Sequence, residues 1–218
     1  MTPSPAGFIP LPAKLAYTAF VAVLVPYYWH AYGPTNFLYY CDVALLMGLA
    51  AAWTGRSLLA SAPAVGILIP QAVWMVDFLA GVVGVQLTGM TAYMFNENLS
   101  LFTRGLSFFH FWLPLVLLWF LYRLGYDRRA FWTWASIAWV LMPVCYFLMP
   151  GPPPNPDDPN TPVNINYVYG MDDNAAQTWM PPLAWFALLM VGLPLLVYLP
   201  THLVLKRVFR PPAGEGAA

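Results

Sequence analysis

The sequence predicts an all-α, polytopic membrane protein: a bundle of six transmembrane helices with both termini in the cytoplasm. Three observations carry that expectation. Of 218 residues, 60% are apolar and 8% charged, with a mean hydropathy of +0.61. Soluble domains hold about 25% charged residues, and a globule of this size cannot hide so much apolar surface from water. The apolar residues also gather in runs of about 20, the length that crosses a hydrocarbon core of roughly 30 Å at about 1.5 Å per residue. Finally, the basic residues sort to one side of those runs.

The runs lie near 12–31, 36–55, 59–83, 104–124, 129–149 and 182–205, in one membrane domain over 1–210 with a short flexible tail at 211–218. In lipid every backbone polar group must be satisfied within the segment, so runs that are apolar all round are helices. The first run leads into Tyr27-Tyr28-Trp29-His30, too bulky for a signal-peptide cleavage site, and is read as a retained span. Pro26, Pro70, Pro114, Pro143 and Pro194 fall inside runs and are expected to kink them. With six spans, Lys14, Arg56, Arg123, Arg128, Arg129, Lys206, Arg207 and Arg210 lie on one side, leaving Arg104 on the other. The positive-inside rule makes the first side cytoplasmic. A five-span reading would destroy this sorting. A cell membrane, specifically a bacterial inner membrane, is the expected location.

The loop 150–181 is then external. It carries Asp157, Asp158, Asp172 and Asp173, no basic residue, and a stiff Gly151-Pro152-Pro153-Pro154 opening. Residues 163–169 alternate apolar and polar side chains; an ordinary ordered loop is the favoured reading, a lid folded back on the bundle the alternative. Zero net charge with no basic stripe argues against nucleic acid. Two cysteines, Cys41 and Cys145, make no disulfide framework or C-x-x-C motif. A metal site is not expected, since the candidate polar cluster inside the spans offers one His, one Cys and no Glu cluster, and no cofactor is expected. Membrane lipids are the expected partners, with a protein partner or a second copy open.

Ionisable residues within a span cost about 2.5–3.5 kcal/mol near the bilayer centre, so each calls for a role. Asp42, Asp77 and His110 are such residues, Cys41 adjoins Asp42, and Arg104 stands at the fourth span's entrance. Counted from the expected external ends, Cys41, Asp77 and His110 all lie about 8–9 Å deep, which points to one pocket in the outer third of the membrane. A thiol becomes a nucleophile when an imidazole takes its proton and a carboxylate orients that imidazole. Cys41, His110 and Asp77 fit those roles as catalytic residues, with Arg104, Asp42, Asn166 and Tyr167 binding the substrate. Each also has a bland reading: His110 as interhelical glue, Cys41 as a small hydrophobe, Asp77 paired with Arg104, and Arg104 as a headgroup anchor.

The run from Gly33 to Leu45, GPTNFLYYCDVAL, resembles the second-span motif of YwaF-like bacterial integral membrane proteins. Phe108-Phe109-His110 and Asn166-Tyr167-Val168-Tyr169 resemble further patches of that family. It is in turn similar to a six-span group containing a transmembrane acyltransferase and the androgen-induced lipid hydrolases. The resemblance implies Cys41 as nucleophile and His110 as its partner in acyl-ester chemistry. Tyr39 stands where the family pattern places a His two residues before the Cys.

The function expected is therefore a lipid acyl hydrolase or acyltransferase with an external-side intramembrane pocket. The rival is a non-catalytic membrane protein: a small-solute or proton-coupled carrier, or an accessory subunit. A carrier needs polar lining toward the cytoplasm as well, where the runs offer little beyond Gln71 and the small residues Ala50, Ala51 and Ala52.

Overall fold

The structure, a computed structural model, describes residues 8–85 and 87–212; the tail beyond 212 lies outside the described residues. The chain is 71% helical, and no strand forms among the described residues. Helices α1 (Leu11–Tyr32), α2 (Tyr40–Thr54), α3 (Ser57–Val82), α4 (Leu101–Ser107), α5 (Phe109–Leu124), α6 (Ala130–Leu148), α7 (Pro182–Gly192) and α8 (Leu199–Val208) follow in order. Five segments are long and apolar enough to cross a membrane: α1, α3, α4–α5 as one run of 24 residues, α6, and α7–α8 as one run of 27. Helix α2 is apolar but shorter, at 15 residues. The chain is thus a multi-pass membrane protein.

Where the segments depart from straight helices, the causes are local. The expected second run begins at residue 36, yet Pro34–Leu38 forms a 3-10 turn and α2 starts only at Tyr40. Gly33, with φ of 79°, supplies the left-handed turn out of α1 that no side-chain-bearing residue adopts cheaply. Pro26, Pro63, Pro70, Pro114 and Pro143 sit inside helices, whereas Pro194 lies in a π-helical stretch, Leu193–Tyr198, between α7 and α8. A missing donor at Pro194 is a standard cause of such a widened turn.

Helix α3 is the centre of the bundle, touching α2, α5, α6 and α8. Eight consecutive residues, 60–67, are buried, which requires neighbours on every side of the helix. Five of them are Ala60, Ser61, Ala62, Ala64 and Gly66, and small side chains are what let helices approach closely in lipid. Trp134 of α6 is seated directly on Gly66, where a Cβ would fall inside the indole. The outer faces carry the reverse pattern. Val140, Phe147 and Leu148 on α6, and Leu183, Leu188 and Val191 on α7, are exposed, a surface suited to acyl chains.

The loop 149–181, expected from sequence to be an ordinary ordered loop, packs part of its length against the bundle. Val163, Ile165 and Val168 are buried, and Ile165 and Val168 pack with Met142 and Cys145 of α6 and with residues 38–40. The alternation at 163–169 belongs to a 3-10 turn, Ile165–Tyr167, with left-handed backbone at Asn164, Asn166 and Tyr167. Asn164 holds the turn by accepting from the Tyr169 amide and donating to the Gly170 carbonyl. At the opposite end of the bundle, Asp127 accepts three side-chain hydrogen bonds from Arg129 and one from its amide. Its own amide donates to Ser61 of α3.

Two stability predictions follow from this packing. Gly66→Ala must displace Trp134 and is expected to cost about 1–3 kcal/mol, whereas Gly105→Ala, which meets nothing within 4 Å, is neutral or stabilising; thermal melts in detergent compare the pair. Burial pushes the Asp127 carboxyl up, but the hydrogen bonds from Arg129 outweigh it and hold it below the usual carboxylate range. A depressed folded value stabilises above the unfolded value, about pH 4, and the benefit is lost as pH falls through the folded one. Wild type should therefore melt higher than Asp127→Asn at neutral pH, with the gap closing below about pH 4.

Candidate functional site

Five segments converge on the side of the bundle that holds the loops 83–100 and 149–181. Cys41 and Asp42 lie in the first turn of α2, because the chain turns at Pro34–Leu38 before the helix begins. The Cys41 thiol faces the Asp42 carboxylate, Sγ to Oδ2 3.9 Å. That same oxygen accepts from Asn36 Nδ2 at 3.3 Å, while Asp42 Oδ1, buried, has no partner. A buried carboxylate oxygen without a donor is costly, and it leaves Asp42 with unused capacity to accept a hydrogen bond.

The expected catalytic trio does not assemble. Asp77, in the last turns of α3, accepts from the Thr88 amide (2.6 Å), the Thr91 amide (2.9 Å) and the Thr91 hydroxyl (2.6 Å). Its carboxylate is an anchor for the loop after α3; it neither orients His110 nor pairs with Arg104. Arg104 instead donates from Nη1 to the Met94 carbonyl at 3.2 Å, bracing the same loop from α4. His110 packs against Trp74, ring centroids 5.1 Å apart, and edge-on against Phe109 at 4.2 Å. Its Nδ1 is buried without a partner. Among the described residues no hydrogen bond joins Cys41 to His110. The helix bounds explain part of this: His110 lies nine residues, about 14 Å, along the α4–α5 run, whereas Cys41 is at the very start of α2. The equal depths counted from sequence rested on run boundaries that the structure shifts.

Asn166 is also placed differently from its expected substrate-binding role. Its Oδ1 accepts from the Tyr40 amide at 2.9 Å and its Nδ2 donates to the Leu38 carbonyl at 2.9 Å. It therefore caps the start of α2 from the loop and fixes where Cys41 and Asp42 stand. Tyr39 donates to the Val163 carbonyl and ties down the same loop.

Tyr167 borders a cleft. Together with Tyr93 it lines a cavity of about 720 Å³ between the two loops, walled also by Met90, Met171, Asp173 and Trp179. Burial drives the Tyr93 phenol above its ordinary range, and Cys41 and Tyr167 are near enough to add to the effect; Trp74 and Ser107 lie beside it. Burial likewise raises Tyr167, with further contributions from Asp173, Cys41 and Asp77. Tyr28 of α1 hydrogen-bonds Ser107 at 2.9 Å, and Tyr27 bonds Thr103. Tyr93, Trp74, Tyr28 and Ser107 carried no signal in the sequence, because aromatic and small polar residues at helix ends fit an interfacial belt equally well. Among the described residues no three His, Cys, Asp or Glu side chains converge as metal ligands.

Asp77→Ala leaves three donors without their acceptor. Exchange of the Thr88 and Thr91 amides is expected to rise about ten- to a hundredfold, read by hydrogen–deuterium exchange, with the α3 core unaffected.

Compared with known protein families, characterised proteins and solved structures, the chain shows no match to any of the three.

Proposed function

We propose that this chain is a six-span protein of a bacterial inner membrane, both ends cytoplasmic, that binds an amphipathic acyl ester from the external side and transfers or hydrolyses its acyl group at Cys41. The reading makes it a relative of the YwaF-like proteins and, more distantly, of the six-span acyltransferase and lipid hydrolase group.

Several features support the six spans. Helix α2 rises about 22 Å, and the five-residue 3-10 turn before it adds about 10 Å, close to a full hydrocarbon core. Counting α2 as a span puts Lys14 on the same side as Arg56, Arg123, Arg128, Arg129, Lys206, Arg207 and Arg210, with Arg104 alone on the other.

The observation that carries the functional reading is the contact of the Cys41 thiol with the Asp42 carboxylate at the start of α2, with Tyr93 and Tyr167 lining the external cavity. The thiol meets the Asp42 carboxylate, so Asp42 is the acceptor for its proton. The thiolate sulfur then bonds to the acyl carbon as the ester C–O bond breaks, and the leaving alcohol takes the proton back from Asp42. Water or a second alcohol, deprotonated by the same carboxylate, cleaves the thioester and restores the thiol. His110, with an unpartnered Nδ1 on this side of the bundle, is the second group able to handle a proton.

A non-catalytic binding protein or carrier is the second reading, favoured by the absence of a Cys41–His110 hydrogen bond among the described residues. Turnover of a short-chain acyl ester in proteoliposomes separates the two. Cys41→Ala is expected to lower it at least about a hundredfold while Cys145→Ala, at a fully buried thiol, has no effect; equal turnover in wild type and Cys41→Ala would leave only the binding reading. Thiol labelling tests the topology. A cysteine at Asp157 should react with a membrane-impermeant maleimide from outside the cell and one at Arg128 should not.

A further inference from the structure

The external cavity has a chemical character that acyl transfer alone does not call for. Its aromatic lining is Tyr93, Tyr167 and Trp179, and its charged lining is Asp172 and Asp173, with no Lys, Arg or His among the residues that wall it. The whole segment 150–181 carries four aspartates and no basic residue. At about 720 Å³ the cavity is within the range that holds a small organic molecule.

We propose that this cavity recognises an organic cation, a quaternary or protonated amine, held on the faces of Tyr93, Tyr167 and Trp179 and balanced by Asp173. Aromatic faces attract cations through the ring quadrupole, and quaternary ammonium groups are bound in aromatic cages for that reason. The two loops supply the walls independently. Tyr93 comes from the loop braced by Asp77 and Arg104, and Tyr167 and Asp173 from the loop capped onto α2 by Asn166.

Tyr167 is held in advance of binding. Its φ is 60°, following Asn166 at 60°, a conformation that side-chain-bearing residues adopt only when the surroundings impose it. The Trp185 indole fixes its carbonyl at 3.1 Å. Such preorganisation lowers the entropy lost on binding. Asp173 accepts only a long 3.3 Å hydrogen bond, from Asn164. Partial desolvation raises its carboxyl, with Asp172 adding to the effect, and a bound cation would offset the repulsion between these two exposed aspartates. The inference deepens the proposed function by giving the ester a cationic head, and it rests on the external side being the substrate side.

The shared chemistry has two sources, a free amine or a lipid headgroup. The test uses the full-length protein in nanodiscs carrying Cys41→Ala, so that binding is read apart from turnover. Choline chloride is titrated against its neutral isostere 3,3-dimethylbutan-1-ol, following tryptophan fluorescence and calorimetry. In parallel, native mass spectrometry compares retention of dioleoylphosphatidylcholine with that of dioleoylphosphatidylglycerol. Choline binding at least about tenfold tighter than the isostere, reduced to a similar degree by Asp173→Asn and by Trp179→Leu, supports a free cation. Selective retention of the choline lipid, lost in the same variants, supports a headgroup. Equal binding of choline and its isostere together with equal retention of both lipids overturns the proposal, as does selectivity that survives Asp173→Asn and Trp179→Leu. Failure of the acyl-transfer reading shows instead as absent turnover in wild type with cation binding intact.

Discussion

The rest of this molecule hangs on the close approach of α3 to its neighbours. In lipid, apolar side chains gain nothing by leaving one hydrocarbon for another, so helices associate through dense packing and polar contacts. The small residues over 60–67 make α3 thin enough to be surrounded, and Trp134 on Gly66 is the tightest point of that contact. With α3 held centrally, α2 and α5 lie on it, and their polar residues are delivered to the same side.

The polar residues in the bundle divide by what they touch. Asp77 and Arg104 are spent on the loop after α3, and Asn166 on the first turn of α2. These three are scaffolding for the site: they position loops whose backbone could not otherwise be satisfied near the membrane. Asp42 and His110 each keep a buried polar atom without a partner, as Arg104 does at Nε. Unsatisfied buried groups are rare in native proteins and are a recognised mark of a functional site. The Cys41 thiol's contact is with a carboxylate, and the His110 imidazole's neighbours are aromatic rings.

The cavity itself lies between two connecting segments, as binding sites commonly do when a rigid scaffold positions its loops. Tyr167 illustrates how the scaffold does so: an apolar turn buried against α6 and α2 leaves the ring between them facing outward into the cleft. The strain at 164–167 is offset by the burial of Ile165 and Val168 and by the hydrogen bonds of Asn164 and Asn166.

The sequence by itself determined the helical class, the apolar runs, and the residues whose burial in lipid had to be explained, because hydropathy and the cost of intramembrane charge are properties of composition and spacing. It also singled out Cys41, Asp42, His110 and Tyr167 as candidates for the site. It did not reveal that α2 begins only at Tyr40, that Asp77 bonds Thr88 and Thr91, or that Asn166 caps a helix more than a hundred residues away. A carboxylate in a span has the same cost whichever donor satisfies it, and an interfacial Tyr reads alike whether it faces lipid or a pocket. Those choices depend on which groups packing brings within about 3 Å, and only the tertiary structure decided them.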